Sequence, residues 1–217
     1  DGASAIVLIC AGRTFIAGAD ISEFGGTAPK AASLADMQEV MENSPIPVVA
    51  AIHGTALGGG LEVALCAHYR VGLASSKYGL PEVNIGLLPG AGGTQRLPRL
   101  IGGPKALEAM TSGCHLPASE AAADGLIDEV VEGDWEALRA AAISFAERAV
   151  AESLPLVKVP DRDDQVAAVD PQVFADFRAK IARQTRGFPP PEYNIPCIEA
   201  ATRLPFAEGS KVEATPL

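Results

Sequence analysis

The chain has 217 residues, 48% hydrophobic and 20% charged, a balance that suits one domain with a sizeable core and a small appendage and excludes a disordered polymer. Lys and Arg number 17 against 27 Asp and Glu, a net charge of −10, so the fold as a whole repels nucleic acid and anionic lipid and must hold any anionic ligand with local groups. No apolar run reaches the roughly 18 residues that cross a bilayer, and no secretory signal precedes Asp1, so the expectation is a bacterial cytoplasmic protein or, in a eukaryote, one of an organelle matrix.

The chain opens inside a strand. Ala5 to Ala11, Ala-Ile-Val-Leu-Ile-Cys-Ala, is an apolar run with almost no lead-in, read as a strand buried on both faces and as the start of a domain whose N-terminal part is missing. Beyond Gly12, Ile16 begins another strand, Ala17 to Ala19 form a small-residue turn, and Asp20 with Glu23 has the spacing of a helix cap. The small Ala19 lets a ligand approach its backbone N–H. A surface loop over Gly25 to Ser33 leads into a helix over Leu34 to Asn43, where Leu34, Met37, Val40 and Met41 at helical spacing predict a core-facing stripe. Pro45 and Pro47 end it.

Val48 to Ile52 is short, wholly apolar and rich in β-branched residues, the mark of a strand buried on both faces. Gly58, Gly59 and Gly60 follow, then a helical spacing over Leu61 to Tyr69. Three glycines before a helix clear the side chains from a place where unpaired N–H groups favour a negative oxygen. Glu62, the first acid after that turn, is either a helix-dipole residue or a catalytic group beside an oxyanion hole. Two such strand-turn-helix units put the amides near Ala19 and Gly59 at equivalent ends of neighbouring strands, able to grip one oxygen.

Arg70 to Ala74 and Lys77 to Leu80 read as strands, and Pro81 then fixes the backbone that carries Glu82. Pro89, Gly90, Gly92 and Gly93 break regular structure before a helix capped by Thr94. Gly90-Ala-Gly-Gly has neither the G-x-G-x-x-G order of a dinucleotide site nor the Gly-Lys-Ser/Thr of a P-loop. Arg96, Arg99 and Lys105 near this turn read as solvated helix surface rather than phosphate ligands. His53 reads as a hydrogen-bonded core histidine, and nothing assigns chemistry to His68 or His115. Cys10, Cys66, Cys114 and Cys197 lack C-x-x-C spacing, so free thiols of a reducing compartment are expected and a metal site is not. Glu136 to Ala151 is an Ala-rich helix suited to covering the core, and Pro155 to Pro171 looks like a linker. Helices are expected over Phe174 to Arg183 and Ile198 to Leu204, interrupted by Pro189-Pro190-Pro191. The division is a core over 1–153 and a linker with helices over 154–217.

Phe15-Ile-Ala-Gly-Ala-Asp-Ile, Ala56-Leu-Gly-Gly-Gly-Leu-Glu and Pro81-Glu-Val-Asn-Ile-Gly-Leu-Leu-Pro-Gly-Ala-Gly-Gly-Thr-Gln-Arg-Leu, three motifs in order, resemble the enoyl-CoA hydratase/isomerase (crotonase) superfamily. The likeness runs from Ala5 to Gly133 and takes in Ala118 to Val131. Its wording is similar to the hydratase part of multifunctional fatty-acid oxidation enzymes. Phe174 to Arg186 and Asn194 to Glu208 resemble the helical segment that joins that part to a 3-hydroxyacyl-CoA dehydrogenase.

The resemblance implies an α/β fold, a spiral of ββα turns with C-terminal helices, and an acyl-CoA substrate bound across it. It implies oxyanion-hole amides on Ala19 and Gly59 and catalytic carboxylates on Glu62 and Glu82. Substrate contacts fall on Ala17, Asp20, Ile21, Gly58, Leu88, Pro89 and Gly90. No permanently bound cofactor is implied, since the CoA thioester is itself the substrate. The partners implied are a second copy of the chain or a fused 3-hydroxyacyl-CoA dehydrogenase domain, with neither nucleic acid nor membrane. The implied reaction is hydration of 2-enoyl-CoA in β-oxidation, with Glu62 activating water and Glu82 protonating C2. Two glutamates around one water repel, so one is expected to keep its proton near neutral pH. The alternatives are 3-enoyl to 2-enoyl-CoA isomerisation and a non-catalytic acyl-CoA-binding or assembly module.

Overall fold

The computed structural model describes residues 2–18, 33–182 and 190–215. Its centre is strand β2, Val48–Ile52, buried at all five positions. Alternate side chains of a strand point to opposite faces. Val48, Ala50 and Ile52 therefore enter the main core with Leu61, Leu97 and Leu107, while Val49 and Ala51 enter a second cluster under Leu138, Ala142 and Phe145. Those last three residues belong to helix α6, Trp135–Ala151, which covers the outer face of the sheet and is capped at its start by the Asp134 side chain.

The sheet is parallel and four-stranded, in the order β1 (Ile6–Ile9), β2, β4 (Tyr69–Leu73), β7 (Glu129–Val131). After β2 the chain turns at Gly54, which at φ +63° lies so close to the Arg13 carbonyl and Thr14 that a Cβ has no room. It then enters β3, Thr55–Leu57, in a second sheet of order β3, β5 (Lys77–Gly79), β6 (Leu116–Pro117). β4 passes to β5 in the same way, and Ile16, bridged to Ala56, makes that step after β1. Each excursion ends in a helix: α1 (Leu34–Glu42), α2 (Gly59–Ala64) and α3 (Gly93–Ile101). The result is the expected spiral of ββα turns. It places the loops that follow the second-sheet strands, with Gly58 and Glu82, side by side.

The remaining helices are α4 (Gly103–Ser112), α5 (Ala118–Ala123), α7 (Gln172–Ile181), α8 (Pro190–Arg203) and α9 (Phe206–Glu213). Val159, Phe174, Ile181, Ile195 and Ile198 share the core cluster of Ile52 and Leu97. Residues 155–171 are thus tied to the body, and α8 starts within the triple proline, where a missing N–H costs a helix nothing.

Several elements differ from the sequence reading. β1 is an edge strand with Ile6 44% exposed, because among the described residues it pairs with β2 alone. Ile16 makes a single bridge rather than a strand. α2 stops at Ala64 instead of Tyr69. There the buried Arg70 guanidinium donates to the Ala67 carbonyl at 2.7 Å and Tyr69 is already paired with Val49, so the last turn opens into a strand. His53 is a buried histidine against the Gly12 carbonyl at 3.1 Å, and His68 accepts the Val48 N–H at 3.1 Å, a role in packing β2.

Candidate active site

Gly58 holds the start of α2 in a conformation closed to other residues, φ +55° and ψ −130°, and its N–H donates to the Gly79 carbonyl at 2.9 Å. That bond ties the loop after β3 to the loop after β5. Gly59 is the first residue of α2, and among the described residues no side-chain cap hydrogen bond closes its end of the helix. A Cβ on Gly60 would strike the Ile16 carbonyl, whereas one on Gly59 would meet nothing within 4 Å. The three glycines therefore meet different demands: a positive-φ turn, a position with open space beside it, and a close backbone crossing.

Glu62 lies on the first turn of α2, 3% exposed. Its Oε1 accepts the N–H groups of Ala91 and Gly93, both at 2.8 Å. Gly93 is needed for this approach, since a Cβ there would sit 2.7 Å from Oε1. Glu82 belongs to the 3-10 turn Pro81–Ile85 after β5, with Pro81 in its first turn. A Cβ on Gly58 would be 3.0 Å from Glu82 Oε1, and Glu82 Oε2 is buried with no hydrogen-bond partner among the described residues. Both carboxylates open onto one cavity of about 510 Å³.

Burial pushes the Glu62 carboxyl up to about 7, against the pull of the Ala91 and Gly93 amides, and the charges of Glu213 and Glu82 push the same way. Burial also raises Glu82, with Glu213 adding to it. At neutral pH Glu62 is thus only partly ionised, where an ordinary carboxylate would have lost its proton.

Of the residues expected to contact substrate, Ala17, Gly58, Leu88 and Gly90 line this cavity, as do Gly59, Glu62 and Glu82. Pro89 is buried behind the lining, against the Gly93 backbone. Ala19, Asp20 and Ile21 lie outside the described residues.

The supporting residues correct two expectations. α1 presents Gln38 and Glu42 inward, while Leu34, Met37 and Val40 are 39%, 39% and 72% exposed and only Met41 packs against the core. Arg96 and Arg99 are buried rather than solvated, at 5% and 3% exposure. Arg96 grips Glu42 through Nε and Nη2, at 2.7 and 3.0 Å, and donates through Nη1 to the Ala91 carbonyl at 3.0 Å, where Gln38 Nε2 also donates at 2.9 Å. The Ala91–Gly92 peptide, which lies between the two peptides that hold Glu62, is thus fixed from behind. Lys105 stays at the surface, paired with Asp124 and Glu120. One further carboxylate, Glu213 of α9, reaches the same loop: Gly92 and Thr94 donate their N–H groups to it at 2.7 and 3.1 Å. Its partners lie more than a hundred positions away, and no local pattern marks it.

The sequence profile of the family described as enoyl-CoA hydratase/isomerase matches residues 1–178. The chain belongs to the enoyl-CoA hydratase/isomerase family. Within it, the peroxisomal bifunctional enzyme of Danio rerio is 40% identical over 210 residues, 97% of this chain and 29% of that protein. The fatty acid oxidation complex subunit alpha of Shewanella loihica is 40% identical over 219 residues, 96% of this chain and 31% of the relative. The chain therefore spans about three tenths of the length of these relatives. Among solved hydratase structures, that of the Bacillus anthracis enoyl-CoA hydratase is similar with a TM-score of 0.61 and 34% identity, covering 84% of this chain and 73% of that one. The family match ends before α8 and α9, so Glu213 lies beyond it.

Proposed function

We propose that the protein hydrates 2-enoyl-CoA thioesters to 3-hydroxyacyl-CoA as a step of fatty-acid β-oxidation. The observation that carries this reading is the placement of Glu62 and Glu82 on one cavity beside Gly58 and Gly59. Water attacking C3 builds negative charge on the thioester oxygen. N–H donors held roughly 2.7–3.1 Å from that oxygen stabilise the enolate-like state, which is the role proposed for Gly59 and for Ala19. One carboxylate takes the proton of water as the other delivers one to C2. Glu62, its Oε1 fixed by two amides, positions and deprotonates the water; Glu82, with a buried oxygen that has no hydrogen-bond partner among the described residues, protonates C2. Both carboxyls lie above their usual range, which supports a pair that keeps one proton near neutrality. Ala17, Leu88 and Gly90 shape the wall against which the acyl thioester lies.

The reaction adds water to the substrate, and CoA enters as part of that substrate rather than as a resident cofactor. A place in fatty-acid oxidation is supported by the names of the relatives, a peroxisomal bifunctional enzyme and an oxidation-complex subunit. The same names support a 3-hydroxyacyl-CoA dehydrogenase as the partner activity. The family description also spans isomerisation, where one glutamate shuttles a proton from C2 to C4. Supplying 3-enoyl-CoA tests that reaction, and no 2-enoyl product removes it. The hydratase reading is tested with short 2-enoyl-CoA: the protein converts it to the 3-hydroxy product, and no conversion with saturable acyl-CoA binding would instead make it a binding module.

A further inference from the structure

Four consecutive amides at the start of α3 are divided between two carboxylates. Ala91 and Gly93 donate to Glu62 Oε1, both at 2.8 Å, while Gly92 and Thr94 donate to Glu213 at 2.7 and 3.1 Å, joined by the Thr94 hydroxyl. A peptide is a rigid plane, so an N–H and the carbonyl of the preceding residue turn together. The Ala91–Gly92 plane is held at its N–H by Glu213 and at its carbonyl by Gln38 and Arg96. Gly92 has φ +86°, and a Cβ there would strike Arg96, so the turn requires glycine at this position. α9 is itself anchored: the Arg96 and Arg99 guanidinium groups lie 4.8 and 5.5 Å from the Phe206 ring centre, Arg99 Nη2 donates to the Leu204 carbonyl at 3.1 Å, and Gly209 packs on Gln95 too closely for a side chain.

We propose that Glu213 is a positioning residue for the hydration chemistry, holding the Gly92 and Thr94 amides so that those of Ala91 and Gly93 converge on Glu62. The proposal rests on the hydratase reading for its consequence in turnover, and on the hydrogen-bond geometry for its structural half. It makes α9 part of the active site, although α9 lies past the matched family region and lines none of the cavity. The charged and titratable groups facing Glu213 are Arg96 of α3, itself paired with Glu42 of α1, the carboxylates Glu62 and Glu82, and the Cys197 thiol of α8. Burial holds Glu213 above its ordinary range despite its donors and Arg96, and its charge helps hold Glu62 up.

The test compares Glu213→Gln, which keeps the shape and removes the charge, with Glu213→Asp, which keeps the charge and withdraws it by one methylene. Amide hydrogen exchange is read at Ala91 and Gly93, which Glu213 does not touch. Both variants exchange there about tenfold faster if the clamp holds, since local opening governs the rate. Turnover of a short 2-enoyl-CoA falls about tenfold in each with KM changed less than about threefold, and Glu62→Gln combined with Glu213→Gln loses no more than Glu62→Gln alone. Unchanged exchange at Ala91 and Gly93, or turnover losses that add in full, overturns the proposal. If the wild-type protein hydrates nothing, the hydratase reading fails while the exchange measurement still decides the clamp. Should Glu213→Asp not fold, Thr94→Val, which deletes the hydroxyl that donates to Glu213 and accepts from Gln95 Nε2, carries the same measurement.

Discussion

Arg96 meets Glu42 side-on, two nitrogens to two oxygens, with both side chains buried and 54 positions apart in the chain. The third nitrogen is spent on the carbonyl of Ala91, whose N–H holds Glu62. Removing one member of such a pair strands a charge out of water. Arg96→Met or Glu42→Ala is therefore expected to cost about 3–5 kcal/mol, and the double substitution less than the sum. Urea unfolding of the three variants checks this, and independent, additive losses would show that the pair does not act as a unit.

Glu62→Gln and Glu82→Gln are each expected to lower turnover of 2-enoyl-CoA by roughly 10²-fold or more with folding intact, as general acid–base contributions of this kind do. Circular dichroism establishes the fold and steady-state kinetics the loss. Turnover near that of the parent in both variants would remove the assignment.

Stability should depend on pH through Glu62. Its carboxyl is raised in the folded state from the ordinary 4.5 to about 7, so its stabilising contribution is complete below pH 4.5 and is lost as pH climbs to 7. That span corresponds to about 3 kcal/mol, to order of magnitude. Unfolding midpoints across this range should fall more steeply for the parent than for Glu62→Gln. Parallel curves would mean that Glu62 ionises as freely in the fold as outside it.

The three adjacent glycines should rank by what a methyl group would meet. Gly60→Ala drives Cβ into the Ile16 backbone and should lower the melting temperature most; Gly58→Ala combines a left-handed backbone with a clash at Glu82, whose end can shift; Gly59→Ala meets open space. Thermal melts of the three variants give the order, and equal losses would contradict it.

What the chain shows locally and what it hides separate along one physical line. β2, the triglycine and the Pro81 turn are written in neighbouring residues, because burial on both faces, positive φ and a fixed proline ring are local demands. Glu62 stood out for the same reason, as the first acid after the triglycine turn, whereas the role of Glu82 rested on the family resemblance. The direction of α1 did not, because its apolar stripe and its polar pair Gln38 and Glu42 compete for the inside, and the winner is decided by Arg96 and the Ala91 carbonyl far along the chain. Arg96 and Arg99 read as solvent-facing for want of sight of Phe206 and Glu42. A nearer signal existed for the start of α1: Ser33 and Asp36 form a reciprocal cap, and that spacing is readable in the sequence.

The most direct measurement of the central claim is conversion of a short 2-enoyl-CoA in water labelled with heavy oxygen, by the parent protein and by Glu62→Gln and Glu82→Gln. The account predicts that the parent places the label at C3 of a 3-hydroxyacyl-CoA and that both variants do so roughly 10²-fold more slowly. No labelled product from the parent, or equal rates in all three, would contradict it.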